Sequence, residues 1–291
     1  MLLEEDDGLD LNLVPDYLKE WRNCEVNLDQ DYDPNDDSDV IIKYQLENGK
    51  LIPFAAKGEM LLVTGREKSR KTLLIKCMLM SSYTSDPSLT MNFRTVPQEG
   101  DLGEDTPFVL YFDTEQPLRR TKKNVRQFYE MAGIKEQDPN LRFFNLKKFS
   151  YTQKIEFITH TIEAVIMEEG RRPDIIVIDQ IADLAPGRDY NDQLGADNIV
   201  NYVNKWSEIT GALMILVIHT NRGGKETNGK LGVIFDQKTD TCVLTELNEE
   251  HITTVYHRLA RDQKIPRFTF RQDFTGRPQL IAVHSTEFNN Y

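Results

Sequence analysis

Short, continuous apolar runs alternate along this chain with longer segments in which apolar residues recur every three or four positions. Continuous runs of this length are typical of buried strands, and the recurrent spacing is typical of amphipathic helices. Strands are therefore predicted at residues 60–64, 108–112, 141–146, 175–179 and 213–218. Helices are predicted at residues 71–83, 117–131 and 154–168, and around Ile199, Val203, Trp206 and Ile209. Residues 84–107 and 180–193 are predicted to be polar loops.

The order of these elements predicts the fold class. Alternating strands and helices favour an α/β fold with a doubly wound, mainly parallel sheet flanked by helices, in which ligands bind at the carboxyl ends of the strands. The last part of the chain differs, because its β-type runs are joined by short polar turns. These runs, at residues 242–247, 252–257, 267–270 and 280–283, predict a C-terminal antiparallel extension of the sheet.

Charge divides the chain into two parts. The net charge of −12 belongs to the first segment, because residues 1–40 contain 14 acidic residues and 2 basic ones while the remainder is balanced. We expect residues 1–40 to be an acidic tail or linker, largely disordered, and residues 41–291 to form one domain. The alternative is that the tail mimics nucleic acid and competes for a basic channel. Nucleic-acid binding is not excluded by the acidic composition, since a local basic groove can coexist with such a tail.

The composition of the chain also bears on the cellular location of the protein. No stretch approaches about 18 uninterrupted apolar residues, and the acidic N-terminus has no secretory signal pattern. The three cysteines, Cys24, Cys77 and Cys242, are widely spaced and form no C-x-x-C pair, so we expect reduced thiols. A cytoplasmic protein without a membrane partner is predicted.

The strongest candidate for chemistry is the segment at 65–72, which reads GREKSRKT between a predicted strand and a predicted helix. The backbone N–H groups of such a turn, with the positive end of the helix, form a cradle for polyphosphate. In this P-loop, Lys71 and Thr72 reach the phosphates and Mg²⁺ of ATP. The predicted cofactor-binding residues are Gly65, Lys68, Ser69, Arg70, Lys71 and Thr72. Arg70 replaces the second glycine of G-x-x-x-x-G-K-[ST] and places a side chain where backbone approaches phosphate, so a loop that binds ATP without hydrolysing it is the alternative.

Two acidic residues follow predicted strands. Asp179 ends a Walker B type strand and is predicted to hold Mg²⁺ together with Thr72; the alternative is a carboxylate that caps a loop. Glu115 follows the strand at 108–112 and is the candidate general base for the attacking water. Its alternative is a glutamate at a helix N-terminus, where acids are favoured.

Three further features carry hypotheses. His219 follows the strand at 213–218 and is the candidate γ-phosphate sensor, or else an ordinary structural histidine. The loop at 222–230 combines three glycines with three bases, which suits a phosphate backbone or a solvated loop equally. Arg261 is the candidate arginine finger, reaching the nucleotide site of a neighbouring subunit, with a surface arginine as the alternative.

The ordered motifs resemble those of RecA-like ATPases, in particular the RepA-type hexameric replicative helicases of plasmids and mobile elements, with DnaB-like and RadA-like proteins as wider relatives. They are GEMLLVTG at 58–65 with Lys71-Thr72, YFDTE at 111–115, IVIDQ at 176–180 and VIHTN at 217–221. The resemblance covers about residues 50–285. It implies a RecA-like fold, ATP sites between subunits, a glutamate base at Glu115, and DNA-contacting loops around 186–193 and 222–231. The family's Lys-x-Arg finger is incomplete, because Leu259 precedes Arg261.

The leading functional hypothesis is an ATP- and Mg²⁺-dependent motor that forms a homo-oligomeric ring and moves on single-stranded DNA in plasmid or mobile-element replication or mobilisation. A primase or a relaxase is a further candidate partner. The first alternative is a nucleotide-switched DNA-binding or loading module with weak or no ATP hydrolysis. The second is a P-loop kinase that acts on a small molecule.

Overall fold

A computed structural model describes residues 39–95, 106–186, 193–221, 227, 229–261 and 263–284. All of them belong to one unit, Ser38–Tyr291. The acidic tail predicted at residues 1–40 lies outside the described residues, except for Asp39 and Val40.

The described chain forms twelve strands, six α-helices and one 3-10 helix at Ile181–Leu184. The strands are β1 (Val40–Gln45), β2 (Leu51–Ala56), β3 (Met60–Gly65), β4 (Phe93–Thr95), β5 (Val109–Asp113), β6 (Leu141–Asn145), β7 (Ile175–Asp179), β8 (Leu213–His219), β9 (Thr241–Leu247), β10 (Ile252–Ala260), β11 (Phe268–Gln272) and β12 (Pro278–Val283). The α-helices are α1 (Lys71–Met80), α2 (Pro87–Thr90), α3 (Leu118–Ala132), α4 (Tyr151–Glu169), α5 (Gln193–Thr210) and α6 (Gly229–Lys238).

Nine strands form the main sheet in the order β12-β11-β10-β9-β3-β8-β7-β5-β6. The six strands from β9 to β6 are parallel to one another. The strands β10, β11 and β12 add to that sheet in antiparallel fashion. The predicted mainly parallel sheet with a C-terminal antiparallel extension is confirmed.

Helices cover both faces of the sheet. Side chains of a strand point alternately to its two faces, so Leu61 and Leu62 of β3 enter two different apolar cores. Leu61 shares its core with Leu74 of α1, whereas Leu62 shares the other with Ile158 of α4 and Ile199 of α5. All five residues are at most 1% exposed, and this double coverage explains why the parallel strands are continuously apolar.

A second, three-stranded antiparallel sheet, β2-β1-β4, was not predicted. The prediction of a polar loop at 84–107 is wrong for its described part, which contains α2 and β4. Phe93 of β4 is fully buried, with its ring centroid 5.4 Å from that of Tyr44 and 5.0 Å from that of Phe54. A three-residue strand has too few positions to show a periodic pattern, and tertiary aromatic packing defines it instead.

Two predicted loops also contain helix. The loop at 180–193 includes the 3-10 helix, whose Ile181 and Leu184 are buried, and the loop at 222–230 ends in the first turn of α6. The DNA-contacting segments expected around 186–193 and 222–231 lie mostly outside the described residues. Helix α1 ends at Met80 rather than at residue 83.

Two further findings concern the whole described chain. None of its helices combines the length and apolar character needed to cross a membrane. Cys77 and Cys242 are free thiols in the apolar cores, where burial raises the pKa of both; that of Cys242 rises to about 12.

Candidate active site

The P-loop connects the end of β3 to the start of α1. Gly65, with φ +150°, has no space for a side chain, because a Cβ there would lie 2.4 Å from the Thr245 carbonyl oxygen. Lys68 and Arg70 both adopt the left-handed conformation, which is unusual for residues other than glycine. The Ser69 hydroxyl lies 2.6 Å from the Thr245 hydroxyl, so β9 supports the loop from one side.

Arg70 takes the backbone conformation that a glycine would take at its position, with φ 70° and ψ 28°. One guanidinium nitrogen donates to the His251 carbonyl oxygen at 2.7 Å and to the Thr253 hydroxyl at 3.1 Å. These contacts anchor the guanidinium to the turn between β9 and β10. Hydrogen bonds from a charged donor contribute about 1.5–3 kcal/mol, which offsets the roughly 1–2 kcal/mol cost of the left-handed conformation.

Lys71 is the first residue of α1, and its ammonium group folds back over the P-loop. Nζ donates to the carbonyl oxygens of Gly65 and Arg66, both at 2.8 Å, and lies 2.9 Å from Nδ1 of His219. The residue is only 6% exposed, and this burial lowers the pKa of Lys71 to about 8. The Lys71 amine therefore lies where the backbone of the P-loop would face a ligand.

Thr72, in the first turn of α1, meets Asp179, the last residue of β7. The Thr72 hydroxyl donates to Oδ2 of Asp179 at 2.8 Å. The Tyr111 hydroxyl donates to the same oxygen at 2.7 Å. Burial of Asp179 raises its pKa, whereas these two hydrogen bonds lower it. Tyr111 was not predicted as a site residue, because it lies inside a continuously apolar run that is typical of a buried strand.

The donor set at this point fits Mg²⁺ bound together with phosphates. Mg²⁺ prefers oxygen ligands and takes one or two carboxylates, with phosphate and water oxygens completing its shell. Thr72 supplies a hydroxyl and Asp179 supplies a carboxylate. Among the described residues no group of three or more His, Cys, Asp or Glu side chains could hold a metal ion. Thr72 and Asp179 supply two oxygen ligands, and phosphate and water oxygens would complete the shell.

Glu115 and His219 face each other across the pocket. Oε2 of Glu115 lies 3.7 Å from Nε2 of His219, which is buried and has no hydrogen-bond partner among the described residues. The His219 ring has the largest effect on the pKa of Glu115 and lowers it, with Lys71 acting in the same direction against burial. Lys71, His219 and Glu115 thus form a continuous polar chain along the pocket.

The loop that presents Glu115 is shaped by Asp113. Its Oδ1 accepts from the backbone N–H groups of Glu115 and Gln116, and its Oδ2 accepts from the Thr121 hydroxyl. Burial raises the pKa of Asp113 to about 6. Both oxygens of Asp113 are committed to the loop, whereas the Glu115 side chain is 48% exposed. Glu115 is therefore the carboxylate that remains accessible to a ligand.

Arg261 lies apart from the other predicted site residues. Its Nε is 2.9 Å from Oδ1 of Asp240, and its side chain is 74% exposed. Asp240 accepts from the backbone N–H of Met60 with Oδ2, at the start of β3, whereas the P-loop follows the end of that strand. Arg261 therefore cannot serve the pocket of its own chain, although a surface position suits a residue that acts on a neighbouring subunit.

A pocket of about 400 Å³ is lined by the P-loop together with Glu115, Asp179 and His219. Volumes of about 300–1,000 Å³ are usual for small-molecule sites. The lining includes residues that the sequence did not point to, namely Lys76, Gln116, Arg120, Asn124 and Gln272. Lys76 is 6% exposed, its ammonium donates to the Asn124 carbonyl oxygen at 3.3 Å, and burial lowers its pKa to about 8. The walls are polar and cationic, which suits a polyphosphate.

Comparisons with known proteins identify a family for this chain. The model of the AAA domain family matches residues 47–225, a range that includes Lys71, Glu115, Asp179 and His219. Among solved structures, a KaiC-like protein from the hyperthermophilic archaeon Pyrococcus horikoshii is similar, with a TM-score of 0.48 and 15% sequence identity over 81% of this chain and 93% of that one. A comparison with curated proteins found no match.

Proposed function

Since this chain belongs to the AAA domain family and has a mainly parallel sheet, we propose that it is an ATP- and Mg²⁺-dependent motor with a RecA-like fold. It assembles into a ring and acts on single-stranded DNA in the replication or mobilisation of a plasmid or another mobile element. The observation that carries the ATPase part is the polar chain from Lys71 through His219 to Glu115, beside the Thr72–Asp179 pair. The DNA part is supported by the order of the motifs and by the basic, glycine-rich loop directly after His219.

We infer a task for each of these groups. On ATP binding, the Lys71 ammonium exchanges the carbonyl oxygens of Gly65 and Arg66 for phosphate oxygens. Thr72 and Asp179 would hold Mg²⁺, which supplies charge neutralisation at the phosphates. Glu115, whose lowered pKa keeps it ionised at neutral pH, accepts a proton from the attacking water. His219 contacts both Lys71 and Glu115, so it transmits the state of the phosphate end of the pocket to the loop that follows β8.

The second candidate function is a nucleotide-switched DNA-binding or loading module with weak or no hydrolysis. It is favoured by Arg70 and by the engagement of Lys71 with carbonyl oxygens of its own loop. The motor is the better supported of the two, because the Arg70 guanidinium is anchored on the β9–β10 turn.

Arg70→Gly separates these two functions. We expect ATP turnover within about threefold of the parent, because the change does not alter any group that contacts Lys71 or Asp179. The free energy of unfolding should fall by about 1 kcal/mol, since two hydrogen bonds are lost and backbone strain is relieved. Thr253→Val is the matched control, because it removes one acceptor of the guanidinium and leaves residue 70 intact. A large gain in turnover in Arg70→Gly alone would instead show that Arg70 restrains hydrolysis.

The proposed function is tested by steady-state ATP hydrolysis with and without single-stranded DNA, together with displacement of a strand from a forked duplex. A motor predicts turnover stimulated by single-stranded DNA and strand displacement that requires ATP. ATP binding without stimulated turnover would favour the switch. Stimulated turnover without strand displacement would contradict the helicase part and leave a DNA-dependent ATPase.

The trans role of Arg261 is tested by mixing two inactive variants. In a ring, a Lys71→Ala subunit still supplies Arg261, and an Arg261→Ala subunit still supplies an intact pocket. We therefore expect each variant alone to have little turnover and the mixture to recover part of it. Arg267→Ala is the control, because Arg267 is an exposed arginine of the same region whose guanidinium lies over the Tyr256 ring. Normal turnover in Arg261→Ala alone would reject the assignment.

A further inference from the structure

Helix α3 carries a dense patch of positive charge beside the candidate active site. Five bases occur within eight residues, and all five are exposed; they are Arg119, Arg120, Lys122, Lys123 and Arg126. No Asp or Glu occurs from residue 116 to residue 129. Residues 41–291 have equal numbers of acidic and basic residues only when these five bases are counted, so the positive charge of the domain is concentrated on α3. We call these five residues the α3 basic face.

The α3 basic face has no partner of opposite charge within the described part of the chain. Several bases elsewhere in the domain are paired, for example Arg142 with Glu169 and Arg258 with Asp236. Among the described residues, no carboxylate forms an ion pair with any of the five side chains of the basic face. Like charges at neighbouring helix positions destabilise a helix by a few tenths of a kcal/mol per pair. The patch therefore carries a small structural cost that an external polyanion would relieve.

The shape around α3 suits an extended ligand. The five bases line a groove of about 990 Å³, which also includes one carboxylate, Glu130, and Thr275 in the turn between β11 and β12. The side-chain nitrogen of Gln127 donates to the Thr275 carbonyl oxygen at 2.9 Å and fixes the turn against the helix. Pro117 and Arg120 line both this groove and the nucleotide pocket. The groove thus continues into the pocket on the side where Glu115 lies.

We propose that the α3 basic face binds the sugar–phosphate backbone of single-stranded nucleic acid. The proposal rests on the nucleic-acid part of the proposed function and assigns to it a surface distinct from the loops that follow β7 and β8. Seven residues of helix separate Arg119 from Arg126, or about 10 Å along the axis, so the cations can follow consecutive phosphates of one strand. The groove lacks an aromatic side chain for base stacking, which predicts binding through phosphates without sequence preference.

A protein partner fits the same groove less well. The centres of protein interfaces are depleted in charged residues and enriched in aromatic and other apolar anchors. The only large apolar side chain in the groove is Leu118, which is 53% exposed. Closely spaced cations without apolar anchors match a repeating phosphate backbone better than they match a folded surface.

The test uses the full chain with Lys122→Gln, Lys123→Gln and Arg126→Gln combined. Glutamine preserves helix propensity, and Arg119 and Arg120 stay in place near the pocket. Binding of a fluorescent thymidine oligonucleotide is measured over a series of salt concentrations without nucleotide. We expect the affinity at low salt to fall by about tenfold or more, and the slope of log affinity against log salt to become less negative by about 2, since three phosphate contacts are lost. The mass distribution in solution should stay that of the parent.

The matched control removes the same charge elsewhere, with Lys50→Gln, Arg172→Gln and Lys238→Gln combined, three exposed positions away from α3. This control should keep both the affinity and the salt slope of the parent. Unchanged binding in the α3 variant would overturn the inference and leave the proposed function standing. A parent chain that does not bind the oligonucleotide would overturn both. Loss of self-association together with loss of binding would assign the face to a contact between subunits and overturn its assignment to nucleic acid.

Discussion

Glu115→Gln is expected to slow ATP hydrolysis by about 10²- to 10⁴-fold, the usual contribution of a general base, while ATP affinity stays within a few-fold of the parent. Glutamine keeps the size of the side chain and cannot accept the proton of the attacking water. The Glu115 carboxylate is half-exposed and is held in its ionised form by His219 and Lys71. The measurements are steady-state turnover and, separately, binding of a fluorescent ATP analogue.

The control for this prediction is Glu67→Gln, because Glu67 lines the same pocket and is not positioned by the His219 ring. Turnover in this variant should stay close to that of the parent. If Glu115→Gln kept most of its activity, the role of general base would have to move to another carboxylate. Asp113 is the nearest alternative by sequence, but both of its oxygens accept hydrogen bonds within the loop. A high residual activity would therefore point to a base from a neighbouring subunit.

The parallel part of the fold was predictable because its strands are buried on both faces. Runs such as 175–178 are continuously apolar for that reason, and the structure places β7 at Ile175–Asp179. The small sheet β2-β1-β4 was not predictable in the same way. Its β4 has three residues, and the burial of Phe93 depends on contacts with Tyr44 and Phe54, which are distant in sequence. Patterns within one segment cannot report such contacts.

In the site, too, local sequence patterns predicted some residues, whereas contacts between residues distant in sequence could not be predicted. Lys71, Thr72, Asp179, Glu115 and His219 come together because each lies at or just after the carboxyl end of a parallel strand, which the sequence reveals. Tyr111 lies two residues before the end of β5, and its hydroxyl reaches Asp179 across to β7. From the sequence alone, Tyr111 is indistinguishable from a core residue, because its hydrogen-bond partner lies on a neighbouring strand. The direction of the Arg70 guanidinium could not be predicted either, because it depends on the β9–β10 turn about 180 residues away.

Lys71→Ala is expected to weaken ATP binding by about 10- to 100-fold, since a hydrogen bond to a charged group contributes about 1.5–3 kcal/mol. Turnover should fall by about 10²- to 10³-fold, as for the loss of other groups that stabilise transition-state charge. The variant should still be folded at pH 7. Burial lowers the pKa of Lys71 from 10.5 to about 8, so its ammonium form is disfavoured by folding, and that cost is fully present below pH 8. Thermal unfolding should therefore show no loss of stability beyond that of its hydrogen bonds.

The same pKa predicts how ATP binding by the parent depends on pH. Below pH 8 the Lys71 amine is charged before ATP arrives, whereas at higher pH the protein must take up a proton to bind phosphate in the same way. Affinity for ATP should therefore be nearly constant from pH 6.5 to 7.5 and should fall by up to about tenfold per unit above pH 8. Lys76 also has a pKa of about 8 and lines the pocket, so Lys76→Met is the control and should keep this dependence. If Lys76→Met lost this pH dependence and Lys71→Arg kept it, Lys76 would be the titrating group. That result would contradict the assignment of Lys71 as the phosphate-binding lysine.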